Sequence, residues 1–99
     1  MLYAIFCEDV DNSMQIRPGV RPQHLAYLQT LVDAGRLLLA GAHPAIDNPD
    51  PGPAGFSGSL IVAEFESLQA ARDWADEDPY KLAGVFANVT IKPFNKALP

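Results

Sequence analysis

Two histidines, one cysteine and the acidic cluster Asp76-Glu77-Asp78 are where chemistry would first be sought in these 99 residues. His24 stands near the start of a helical pattern, and a neutral imidazole can take or give a proton near pH 7. A helix N-terminus disfavours its charged form and a nearby carboxylate favours it. The residues rank neither term, and a helix-start histidine can also simply bond a neighbouring carbonyl. Asp78 precedes Pro79, which is helix-cap chemistry in its own right and needs no further reason. The cluster could equally be a solvated acidic end; a catalytic role for Asp78 is the alternative. His24 and His43 lack a short-spaced second ligand, and neither His-x-x-x-His nor Cys-x-x-Cys occurs, so no metal or cofactor is expected. Cys7, alone, forms no disulfide framework and reads as a small buried strand residue. Gly52, Gly55 and Gly58 do not follow a strand and open a helix, so there is no phosphate-binding loop. Trp74 and Tyr80 read first as packing residues.

The elements that must carry these side chains are legible from period and punctuation. Residues 21–34 read as a helix, with Pro22 in the first turn and Leu25, Leu28, Leu31 and Val32 on one face. At roughly 100° per residue, His24 lies about 50° from the centre of that face, bordering the buried side. Gly35 suits a left-handed stop. Strands are expected over 2–7, 37–43, 58–65 and 86–93, the last alternating Ala87, Val89 and Ile91 with Asn88, Thr90 and Lys92. Asp11-Asn12-Ser13 is turn chemistry. The loop from Pro44 to Phe56, with four prolines, is long enough to be a lid or binding loop. Ser67 caps a helix reaching Ala75 or Asp76, with Leu68, Ala71 and Ala75 on one face, and Asp78-Pro79 opens a short turn closed by Gly84.

Composition bounds the rest. Residues 1–99 make one domain, 48% hydrophobic, with a net charge of −5. The seven basic residues are dispersed, which argues against nucleic acid and against anionic membranes. No apolar run has the length of a membrane span, and no basic leader precedes the first strand, so a cytoplasmic location is expected.

The order βαββαβ is the ferredoxin-like α+β pattern, an antiparallel sheet with both helices on one face. Yet the first strand is apolar on both faces, Leu2, Ala4 and Phe6 against Tyr3, Ile5 and Cys7, and the second likewise. Such sheets are normally buried on both sides. A homodimer packed through the open sheet face is the expected arrangement.

With these residues in view, the chain resembles the YCII-like family nearly end to end. The resemblance is carried by Met1-Leu-Tyr, Arg21-Pro-x-His24-Leu-Ala, Gly35-Arg-Leu-Leu with Ala40-Gly41, and Asp50-Pro-Gly-Pro-Ala-Gly-Phe56. It continues through Ala63-Glu-Phe-Glu-Ser67, Trp74-Ala-Asp, Asp78-Pro-Tyr80 and Lys92-Pro-Phe94. It implies a ferredoxin-like fold assembled as a dimeric α/β barrel, and a site on a histidine–aspartate pair that falls on His24 and Asp78. A dehydrochlorinase in the family and muconolactone isomerases among related barrels imply lyase or isomerase chemistry. His43 is left out of the site.

The expected function is therefore proton abstraction, with elimination or isomerisation, on a small cyclic or enolisable substrate. His24 would take the proton and Asp78 would orient it. Arg21 and Tyr80 are expected to hold a carboxylate or hydroxyl, with Phe6, Phe56 and Gly41 completing the pocket and the 44–57 loop limiting solvent. The alternatives are a non-catalytic small-ligand or accessory protein, and a His–Asp pair that is purely structural.

Overall fold

Alternation with period two puts Tyr3, Ile5 and Cys7 on one face of the first strand, and this is the face the helices cover. A computed structural model describes residues 1–99, in the order β1 (Leu2–Asp9), α1 (Arg17–Asp33), β2 (Leu37–Pro44), β3 (Phe56–Glu64), α2 (Leu68–Asp76), α3 (Pro79–Leu82) and β4 (Phe86–Phe94). The sheet order is β2-β3-β1-β4, and every neighbouring pair is antiparallel. This is the expected α+β ferredoxin-like fold. No helix is long and apolar enough to cross a membrane.

The core follows from the register. Ile5 pairs with Ile61 on one side and Ile91 on the other, and all three are buried beneath the helices. Leu28 and Leu31 come down from α1, and Ala71 and Ala75 from α2. Tyr27 joins the two helices, its hydroxyl donating to the Trp74 carbonyl at 2.7 Å while the rings stack. Ser67 caps α2 by accepting from the Ala70 amide. Leu68 is exposed, so the buried stripe of α2 runs through its small residues.

The first helix begins at Arg17, a turn earlier than expected from Pro22. Pro18 fills the first turn, and Pro22 lies one turn further in. There it forfeits only the bond that its missing N–H would have made to the Pro18 carbonyl. The earlier start lengthens the buried stripe by a turn. It runs Arg17, Val20, His24, Leu28 and Leu31, at intervals of three and four, and leaves Leu25 and Val32 exposed. His24 sits within the buried stripe, not at its border.

Candidate active site

Two capping accidents bring His24 and Asp78 together across 54 positions of sequence. Asp78 caps α3, its Oδ1 accepting from the Tyr80 amide at 2.9 Å. Gly84, at φ 82°, closes that helix after one turn, which fixes Tyr80 beside its own cap. The same Oδ1 is 2.8 Å from His24 Nδ1. A carboxylate only accepts, so Nδ1 donates, and the neutral imidazole keeps its lone pair on Nε2. Nε2 has no partner in the chain. The Tyr80 ring stacks on the imidazole, with centroids 3.9 Å apart and planes 13° apart. Asp78 is 1% exposed and His24 7%, so both the pairing and the ring orientation are fixed by burial.

A cavity of about 200 Å³ opens beside this pair. Its roof is α1, with Arg17, Arg21, His24, Leu25 and Leu28, and Tyr80 closes one end. Its floor is the sheet, with Ala40, Gly41 and Ala42 from β2 and Ser59 and Ile61 from β3. An adjoining cavity of similar size shares Arg17, Arg21, Ala42 and Tyr80 and adds Met14, Pro18 and Phe56. The lining is mostly apolar with a few polar groups converging on it, the usual makeup of a small-molecule site.

The two arginines differ in what they have left to offer. Arg17 is buried and committed, its Nε donating to Asp9 Oδ2 at 2.6 Å and its Nη2 to Asp9 Oδ1 and the Gly58 carbonyl. Its guanidinium lies over the Tyr80 ring, 4.9 Å from the centroid. Ser13 also donates to Asp9 Oδ2. Arg21 has no carboxylate within ion-pair distance, so it is the uncommitted cation where the two cavities meet. Burial pushes the Tyr80 phenol above its ordinary pKa, and the two arginines offset only part of this, so it stays protonated at neutral pH.

Of the residues expected to bind substrate, Arg21, Tyr80 and Gly41 border the His24 cavity, and Phe56 borders the adjoining one. Phe6 does not belong to either. It lies on the opposite face of the sheet, with its ring against His43 at 5.2 Å. A strand apolar on both sides tells which residues share a face but not which face the helices take. The proline loop also departs from expectation, since no residue from 45 to 55 lines either cavity. Its ends are tied by the Ala45 amide donating to the Gly55 carbonyl. Gly55 packs so closely on Met14 that a Cβ there would collide with that side chain.

Arg17, Asp9 and Ser59 are site residues that sequence reasoning missed. Asp9 lies in the acidic stretch Glu8-Asp9-Val10-Asp11, which by type looks solvated, and the early helix start hid Arg17. Nothing in the alternation of β3 marked Ser59.

The family model for the YCII-related domain matches residues 1–95. The chain belongs to the YCII-related family. Protein YciI of Escherichia coli is 58% identical over 96 residues, covering 97% of this chain and 98% of that protein. An uncharacterized YCII relative from Haemophilus influenzae is 54% identical over the same length. Among solved structures, this YCII chain is similar to 5-chloro-2-hydroxyhydroquinone dehydrochlorinase (TftG) from Burkholderia phenoliruptrix AC1100. The TM-score is 0.84 at 26% identity, covering 96% of this chain and 94% of that one. That structure is a complex with 2,5-dihydroxybenzoquinone.

Proposed function

We propose that this chain is a small-molecule enzyme of the lyase or isomerase type, with His24 Nε2 taking a proton from a small, oxygenated cyclic or enolisable substrate. The observation that carries this is the 2.8 Å Nδ1–Asp78 contact beside a cavity, which leaves Nε2 without a protein partner. Asp78 holds the ring in one tautomer and stabilises imidazolium once the proton has arrived. Tyr80 keeps the imidazole plane fixed, so the lone pair is aimed before substrate enters. Arg21 attracts an anionic oxygen of the ring and steadies the charge that builds there as the proton leaves.

In elimination, the electron pair freed by deprotonation forms the new double bond as the leaving group departs with its own pair. In isomerisation, the imidazolium returns the proton to a different atom. Neither route requires an oxidant. The TftG likeness favours elimination of chloride from a hydroxylated ring. The test is chloride release from 5-chloro-2-hydroxyhydroquinone by the purified chain. Release well above the uncatalysed rate is expected, and a rate equal to buffer would sink the dehydrochlorination reading.

The assembly belongs to the same proposal. The sheet face turned away from the helices leaves Phe6 41%, Leu39 47% and Phe94 40% exposed. A large apolar sheet surface of this kind is normally covered. The reading is a homodimer packed through that face as an α/β barrel. Sedimentation equilibrium at micromolar concentration should return twice the 10.7 kDa chain mass. A folded species of single-chain mass would contradict it.

A further inference from the structure

Ser59 is 4% exposed, and its Oγ is the one buried side-chain polar atom without a hydrogen-bond partner. It pairs with Cys7 across one side of β3 and with Ala42 across the other. Its side chain therefore faces the helices, on the floor of the cavity whose roof holds His24. An unbonded buried hydroxyl destabilises the fold, and few survive in native proteins without a reason.

The neighbours do not supply the missing bond. Burial pushes the Cys7 thiol up to about 12, against the opposing pull of the facing Ser59 hydroxyl. A neutral thiol is a weak donor and a weak acceptor. Arg17 is already spent on Asp9 and Gly58, and Asp78 on His24 and Tyr80. Ile61, Leu28 and Ala42 offer no polar side-chain group. Ser59 lines the cavity floor, so a turn about its Cα–Cβ bond brings the hydroxyl to a ligand bound there.

We propose that Ser59 is a specificity-determining residue whose hydroxyl bonds an oxygen substituent on the substrate ring, on the floor side of the cavity opposite His24. This rests on reading the cavity as the substrate site. It narrows the substrate class to small rings with at least two oxygens, one anionic and facing Arg21, the other bonding Ser59. A ring lacking the second oxygen would leave the hydroxyl buried and unpaired, which is how a polar group in such a site rejects near-analogues.

The test measures two quantities on the wild-type chain and on Ser59→Ala: the dissociation constant for 2,5-dihydroxybenzoquinone and the thermal midpoint without ligand. The expected result is about tenfold weaker binding, the size of one well-made hydrogen bond. The ligand-free midpoint should be unchanged or higher, because an unpaired buried hydroxyl has been removed. Equal binding by both proteins would overturn the role of Ser59 while leaving the cavity as a binding site. A lower midpoint with unchanged affinity would make the serine a packing partner of Cys7, and would also overturn it. Failure of the wild-type chain to bind the quinone would overturn this inference together with the substrate reading on which it rests.

Discussion

His24→Asn should lower kcat for chloride release by about 10²–10⁴, the usual worth of a positioned general base. Asparagine suits the test because its amide nitrogen stands close to where Nδ1 stood and can still donate to Asp78. It lacks only the second nitrogen, the one without a partner in the chain. Losing the stack on Tyr80 costs about 0.5–1.5 kcal/mol, which the fold tolerates. The loss should therefore appear in kcat, with the far-ultraviolet dichroism preserved. Full activity in the folded variant would remove His24 from the chemistry.

The second large effect is on stability. Asp9→Ala should destabilise the fold by about 3–5 kcal/mol, read from urea unfolding at pH 7. Arg17 is 5% exposed, and removing its carboxylate leaves a largely buried guanidinium with only the Gly58 carbonyl as a hydrogen-bond partner. Against a total of about 5–15 kcal/mol for a domain, that is a large share. Replacing both members with apolar residues should be milder, because the buried charge leaves with its partner. The effect also bears on the site, since Arg17 lies over the same Tyr80 ring that stacks on His24. A cost below about 1 kcal/mol for Asp9→Ala would mean the pair is solvated in solution, as exposed pairs are.

Much of the fold was open to reading because its signals are local. Strand alternation, the Ser67 cap, Gly35 at φ 68° after α1 and the Asp78-Pro79 start of α3 each act within a few residues. The site was legible only in pieces. Nothing in the spacing of His24 and Asp78 says that they touch; the family resemblance joined them. The buried knot of Asp9, Ser13 and Arg17 was invisible because its members straddle a turn, and each alone looks like a surface residue. Pro22 drew the helix start four residues late, since a proline just inside a helix and one in its first turn look alike in sequence. Phe6 went to the wrong side for the reason its strand implied a dimer: both faces are apolar, so alternation cannot say which one the helices take.

One nitrogen carries the proposed chemistry, and nitrogen NMR of the His24 ring observes it directly. With 2,5-dihydroxybenzoquinone added stepwise, the neutral ring should show a protonated Nδ1 that holds its position and a bare Nε2 whose resonance moves as the cavity fills. A proton resident on Nε2, or an Nε2 signal indifferent to a quinone that demonstrably binds, would contradict it.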